Sequence, residues 1–291
     1  MLVVAGLVSG VLYAFVFVDS TDDDDWAAAG AYVVENINEA DVIRVHPTWA
    51  TKPLTHVTGA GDQVDVVSRP LPEDFHDVET IWLMTDASLV DDALQLLPFD
   101  VDPKRHEYGT VVLLEIPNPI GTLPFVFHER LKTARVERHM ADGTVEKCEL
   151  WNERDQRWDC GRRDRWFFVG KELKEVGDEP RECIWAHPLS GGKWLHVTFP
   201  NVPPGRIVLK AGQTLRGQRS PRGSDIFTVI EVDTQRVFDQ AISNRDQTYH
   251  TIEVANSGES REVTFKLSAV SPRDRFFCID GFVFEAADPE N

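Results

Sequence analysis

From residue 125 onward the chain is a succession of short stretches in which apolar and polar residues alternate. They read ARVERHM, DRWFFVG, ECIWAHP, KWLHVTFPNV, GRIVLKAG, DIFTVIEVD, TYHTIEVAN, REVTFKLSAV and RFFCIDGFVFEA. Turn-forming segments such as ADG, LSGGK, VPPG and NSGES separate them. A period of two sends successive side chains to opposite faces of a strand, and many short strands punctuated in this way fold as a sandwich or barrel. Eight or nine of them fit a jelly roll. Residues 125–288 are therefore expected to form a β-sandwich of jelly-roll type.

The four cysteines all lie in this half: Cys148, Cys160, Cys183 and Cys278. None has C-x-x-C spacing, which speaks against structural zinc and thioredoxin-type chemistry. Four cysteines permit three pairings. The favoured one is Cys148–Cys160 with Cys183–Cys278. The first would clamp the base of CELWNERDQRWDC, read as a hairpin. The second would join the beginning of the strand series to its last strand. Four buried, reduced thiols are the alternative.

The preceding region has a different rhythm. Trp26, Gly30, Val33 and Ile37 recur at helical spacing, with Asp24 or Asp25 as the N-terminal cap. DVIRVHP (41–47), VDVVS (64–68), TIWLMT (80–85) and GTVVLLEI (109–116) read as strands, the first stopped by Pro47. Ser88 is placed as the cap of a second helix carrying Leu89, Ala93, Leu94 and Leu97. Strands alternating with helices imply a small, largely parallel, Rossmann-like α/β unit over residues 19–118. Its glycine pair in TGAGD (58–62) lacks the G-x-G-x-x-G and Walker patterns and reads as a turn. Pro117, Pro119, Gly121 and Pro124 mark a linker over 119–124.

Residues 1–18 carry no charge. A membrane-spanning helix needs roughly 20 apolar residues, with about 17 as the lower limit, so the segment qualifies. No lysine or arginine opens it, unlike a cleaved signal peptide. The first basic residue is Arg44, after eight acidic residues beginning at Asp19. Such a flank favours translocation of the polypeptide C-terminal to the segment. The expected organisation is α+β multidomain: a membrane helix at 1–18, then the α/β unit and the sandwich on the extracytoplasmic side of a bacterial membrane. The missing inner-flank charge also fits a last membrane helix of a longer polytopic protein.

Among 291 residues, 48 are acidic and 30 basic, a formal charge of −18. Such a chain repels nucleic-acid phosphates, and no nucleic-acid partner is expected. The nine histidines are scattered, and neither H-E-x-x-H nor G-x-S-x-G in a strand-to-helix setting occurs. No catalytic residue, metal or cofactor is assigned. Trp151, Trp158, Trp166, Trp185 and Trp194 fall within 44 residues. Indole faces stack on sugar rings, but they also fill β cores. Trp151 and Trp158 stand apart because LWNERDQRWD is so polar that a core role is hard to arrange. With Arg154, Asp155 and Arg157 beside them, they are the candidate carbohydrate-binding residues.

The stretch DDDWAAAGAYVVENINEADVIRVHPTWATKPLTHV (23–57) resembles the soluble segment after the last membrane helix in bacterial dolichyl-phosphate-mannose mannosyltransferase-like (PMT-like, GT-C type) glycosyltransferases. Trp26, Ala27 to Ala29, Tyr32, Asp41, Pro47 and Trp49 carry it. RFFCIDGF (275–282) and the strand rhythm resemble galactose-binding-like and carbohydrate-binding jelly rolls. The first resemblance implies that sugar transfer belongs to a membrane portion outside this sequence. The expected function is thus a non-catalytic extracytoplasmic region of a membrane glycosyltransferase-like protein, engaging glycan or lipid-linked sugar. A stand-alone membrane-anchored carbohydrate-binding or adhesion module is the alternative, and a cell-envelope hydrolase the second alternative.

Overall fold

The computed structural model describes residues 23–47, 56–57, 63–65, 67–160, 167–177, 179–214, 223–243, 245–246 and 248–285, without the side chains of 255–257. Residues 1–18, the expected membrane helix, lie outside the described residues, as do Trp49, Trp166 and the TGAGD turn. Among the described residues no helix is long and apolar enough to cross a membrane. The chain divides into two compact units, residues 1–122 and 123–291.

The first unit is a four-stranded sheet between helical layers. Helix α1 (Asp23–Asn36) precedes β1 (Val42–His46), β2 (Thr80–Asp86), α2 (Val90–Gln95), β3 (Lys104–Tyr108) and β4 (Val111–Pro117). In each of β2 and β4 five of the seven residues are buried because each face has its own cover. Trp82, Met84, Val111 and Leu113 pack with Trp26, Ala29 and Val33 of α1. Ile81, Leu83, Val112 and Leu114 pack with Val90 and Ala93 of α2 and with Phe75. Asp41, 4% exposed, ties the entrance of β1 to the next strand. It accepts hydrogen bonds from Asn38 N, Thr80 N and Trp82 Nε1 at 2.9–3.1 Å.

The expected largely parallel, Rossmann-like sheet is not what forms. The order is β1-β2-β4-β3, and only β1 and β2 run parallel. The cause is local. Strand β3, KRHEY, is too polar to stand out in the sequence, and it leads into β4 through the two residues Gly109 and Thr110. So short a link can join only antiparallel neighbours. Gly109 has φ +56°, and a Cβ there would meet the Asp25 carboxylate. That carboxylate accepts from both Thr110 N and Thr110 Oγ1, so Asp25 holds this turn. VDVVS contributes a single bridge, Val64 to Ile43, among its described residues. Ser88 does not cap α2, whose N-cap Leu89 makes no side-chain hydrogen bond; Asp86 caps the preceding 3-10 turn (Ala87–Leu89), its side chain accepting from Ser88 N at 2.8 Å.

The second unit is the expected jelly-roll sandwich. One sheet has the order β16-β13-β18-β11-β10-β9-β8, with β5 also on β18, and the other β15-β14-β17-β12-β6-β7. The strands of the first are β5 (Phe125–Val126), β8 (Leu150–Asn152), β9 (Arg157–Asp159), β10 (Phe168–Val176), β11 (Glu179–Ala186), β13 (Gly205–Gln213), β16 (His250–Ser257) and β18 (Phe277–Phe284). Those of the second are β6 (Arg135–His139), β7 (Val145–Lys147), β12 (Trp194–Val202), β14 (Ile226–Val232), β15 (Gln235–Ile242) and β17 (Arg261–Ala269). All nine alternating stretches of the sequence carry a strand. Strand β15 does not stand out in sequence because it is a charged edge strand with little to bury.

Alternation fills the space between the sheets. Ile184, Leu209, Ile279 and Val283 come from one sheet, and Val197, Phe199, Phe265 and Leu267 from the other. Phe127, following β5, meets Phe199 and Phe265 edge to face. It does so over Gly281, where a Cβ would lie 2.8 Å from its ring.

Both favoured disulfides are present, Cys148–Cys160 and Cys183–Cys278. The first brackets the β8–β9 hairpin. The second joins neighbouring strands β11 and β18 of one sheet, and so does not tie the two sheets together. Cys278 is the register partner of Trp185, while Ile184 and Ile279 point to the core, so the bridge lies on the outer face.

Candidate functional site

The hairpin that the sequence singles out folds as β8 and β9 around a four-residue turn, Glu153 to Gln156, with the Cys148–Cys160 bridge at its base. Asn152 shapes the turn. Its side-chain oxygen accepts from the backbone N–H groups of Arg154 and Asp155, and its amide donates to the Asp155 carboxylate. Gln156 has φ +47°, and its carbonyl accepts from Lys171 N, which docks the turn on β10.

Strand alternation then sorts the five candidate residues into two groups. Trp151 and Trp158 are register partners, and Trp158 is opposite Val169, a core residue. Both indoles are half-buried and pack against the sandwich core, 5.4 Å apart and edge to face. Trp158 Nε1 donates to Leu131 O at 2.9 Å. The expectation that so polar a hairpin leaves them no core role is therefore corrected: the polar residues occupy the turn and the opposite face, and the two indoles turn inward.

Arg154, Asp155 and Arg157 line an open cleft of about 530 Å³ with Gln156, Lys171, Glu172, Leu173 and Glu182. Volumes of roughly 300–1,000 Å³ are usual for small-ligand sites. Arg157 is held on three sides. Its Nε donates to Asp159 at 2.9 Å, a terminal nitrogen lies 3.4 Å from Asp155, and its guanidinium sits 4.5 Å above the Phe168 ring. That ring stacks on Trp185 at 4.3 Å. On the other wall Lys171 Nζ meets Glu182 at 2.7 Å and Lys174 Nζ meets Glu172 at 2.9 Å. Arg154 has no ion-pair partner among the described residues. Leu173 is 65% exposed and is the one aliphatic side chain of the lining.

Behind Glu182 lies a buried polar chain that sequence reasoning missed. His128 Nε2 is 3.5 Å from Glu182, at the outer limit of a hydrogen bond, and His128 Nδ1 is 2.7 Å from Asp280. His128 and Asp280 are both buried. The gap they fill has a topological origin. Strand β18 pairs with β11 only through residues 277–279, and with β5 at 282–283. The chain leaving β5 therefore places His128 where β11 and β18 part.

Burial disfavours the charged imidazole, but the Asp280 charge and the hydrogen bonds to Asp280 and Glu182 outweigh it, and the pKa is pushed up to about 9. The hydrogen bond from His128, aided by Lys171, pulls Glu182 down to about 2 against its partial burial. On the far side of Asp280, Lys210 is 4% exposed, with Nζ facing the rings of Tyr249 and Phe282. Burial takes its pKa down to about 8, opposed by Asp280.

The groups of this chain are up to 152 residues apart, so no motif announces them. The visible signal is a lone charge in an apolar strand: Asp280 stands in FCIDGFVF, all eight residues of which are buried. Among the described residues no group of three or more metal-ligating side chains converges.

No protein-family model matches the sequence, and no curated protein matches it. Solved structures to which the chain is similar include the CBM51-2 and INT domains of Clostridium perfringens ZmpB, at 11% identity and TM-score 0.30. That match covers 39% of this chain and 25% of that one. The CBM51 of Clostridium perfringens GH95, solved with methyl-galactose, is 12% identical over 39% of this chain and 79% of its own, with TM-score 0.28. The tandem CBM51 modules of a family 98 glycoside hydrolase from Streptococcus pneumoniae are 9% identical over 62% and 57%, with TM-score 0.33. At these values the matches assign neither a residue nor a ligand to this chain.

Proposed function

We propose that the protein is a non-catalytic glycan-binding protein whose sugar site is the cleft between the β8–β9 turn and strands β10 and β11. The observation that carries this reading is the make-up of the lining. Three cations, Arg154, Arg157 and Lys171, stand among three carboxylates, Asp155, Glu172 and Glu182. Sugar hydroxyls both donate and accept, so a wall of adjacent donors and acceptors suits them. The cleft is charge-balanced while the whole chain carries −18. That balance favours a neutral saccharide over an anionic one, which the overall field would repel. Leu173 offers an apolar edge to a ring face.

A glycan array probed with the intact chain tests this, followed by calorimetry on the neutral saccharides retained. Loss of one hydrogen bond to a charged group costs about 1.5–3 kcal/mol. Arg154→Ala should therefore weaken binding by about 10-fold or more. A blank array, or affinity untouched by changes along the lining, rejects the site.

The setting is proposed with it. We read the two units as extracytoplasmic, tethered by residues 1–18 and serving a membrane glycosyltransferase-like protein or a stand-alone surface module. Two disulfides suit an oxidising compartment. Protease added to intact cells should remove residues 19–291 while a cytosolic marker survives; full protection contradicts this topology.

A further inference from the structure

We infer that His128, clamped by Asp280, is the positioning residue that holds the Glu182 carboxylate in its place on the cleft wall. The inference rests on the reading of that cleft as the sugar site, and it concerns how the site is built.

Glu182 is the one cleft carboxylate reached from both sides, by Lys171 at 2.7 Å from the cleft and by His128 at 3.5 Å from the interior. The other two, Asp155 and Glu172, are held by neighbours on the surface. Only a doubly protonated imidazole can donate to both carboxylates, since a neutral ring has one N–H. Asp280 supplies the reason for the second proton: it is buried beside Nδ1 at 2.7 Å and itself accepts from Gly281 N at 2.9 Å. A carboxylate held between a lysine and an imidazolium is fixed in direction and stays an acceptor over the whole neutral range. It therefore selects a hydroxyl donor from a saccharide and rejects a group that can only accept.

The titratable surroundings of His128 are Asp280 on β18, Glu182 on β11, Lys171 on β10 and, through Asp280, Lys210 on β13. Its chain neighbour Glu129 is exposed, and the Phe282 ring lies 6.2 Å away. Lys171 acts against the imidazolium, and the two carboxylates act for it.

Nuclear magnetic resonance on the intact chain, with labelled Glu and His, tests the coupling without any saccharide. In the wild type His128 should keep both ring protons until about pH 9, and Glu182 should titrate near pH 2. In His128→Gln the Glu182 midpoint should move up toward its ordinary value of about 4.3. Glu182 is half exposed, so Glu182→Gln leaves the fold intact even if the buried variant does not fold. By reciprocity Glu182→Gln must lower the His128 midpoint. An unmoved His128 midpoint in Glu182→Gln, or a wild-type His128 that titrates in the ordinary imidazole range, overturns the inference.

Cellobiose and N-acetylglucosamine serve as neutral probes for the second arm. Where either binds, wild-type affinity should fall as pH rises through about 9, and the profile of Glu182→Gln should be flat there. A pH-independent wild-type affinity overturns the inference. Failure of every saccharide to bind removes the sugar reading alone, because the resonance titrations decide the coupling by themselves.

Discussion

The two units bury charge for different ends. In the α/β unit Asp41 and Arg44 are interior, and each is spent on its own framework. Asp41 fastens Asn38, Thr80 and Trp82, and Arg44 pairs with Asp65 and donates to Val67 O. In the sandwich the buried charges His128 and Asp280 lie on a line that ends at Glu182 in an open cleft. A buried charge closed on backbone and loop groups is structural. One that leads to an open cleft also sets the charge on the cleft wall, because every buried charge must first be paired. The units also hold themselves together differently. The first relies on a doubly covered sheet, and the second adds two disulfides around one larger core.

That contrast can be broken most forcefully by reduction. In the chain-entropy view, opening a loop as long as that closed by Cys183–Cys278 costs about 4–5 kcal/mol. Thermal unfolding in reductant should lower the transition of the sandwich and leave that of the α/β unit in place; a uniform drop would show that the units do not unfold separately. Phe265→Ala, at the contact with Phe127 and Phe199, should cost about 3–5 kcal/mol in the sandwich transition. Denaturant titration followed by near-ultraviolet dichroism reads it. Asp41→Ala strands three donors and should destabilise the α/β unit by about 1–3 kcal/mol. An effect on the sandwich transition instead would contradict the local role of Asp41.

A pH series sharpens the same contrast. The folded-state pKa of His128 is raised, so its contribution is complete below its unfolded value near 6.5 and is lost as pH rises toward about 9. Lys210 has the opposite sign: its folded pKa, about 8, lies below its ordinary 10.5, so its term gains with pH between those values. His187 and His196 of the same unit have lowered pKa values, so their terms rise with pH until the ordinary imidazole range is passed, and the clean window is about pH 7.5 to 8, where the sandwich transition should weaken and the other should not. Asp280→Asn should flatten that slope. The smallest effect on stability belongs to Arg154→Ala, within about 0.5 kcal/mol for an exposed turn residue, although its effect on saccharide affinity should be among the largest. A large loss of stability would make Arg154 a structural residue.

The hairpin shows how far the sequence could be read. Cys148 and Cys160 bracket a short polar loop, and closing such a loop requires nothing from the rest of the chain, so both the pairing and the location of Arg154, Asp155 and Arg157 were legible. The direction of Trp151 and Trp158 was not, because polarity averaged over a hairpin says nothing about which of two alternating faces meets a core. Strand β3 was missed for a related reason. It is polar on both sides and is defined by the two-residue turn to β4, not by periodicity. Lys171, Glu182, His128 and Asp280 were invisible as a set, since each is an ordinary residue until strand pairing sets them side by side.

By itself the sequence determined the change of rhythm along the chain, the helix that contains Trp26, the sandwich with its inward-facing alternation, and the pairing of the two disulfides. These follow from periodicity and spacing, which act over a few residues or at recognisable intervals. Tertiary structure alone decided the sheet order, the cleft and the line of charge behind it. The reason is physical: a half-paired last strand leaves a gap between β11 and β18, and only a folded chain can bury residues 128 and 280 in that gap with residue 182 at its open end.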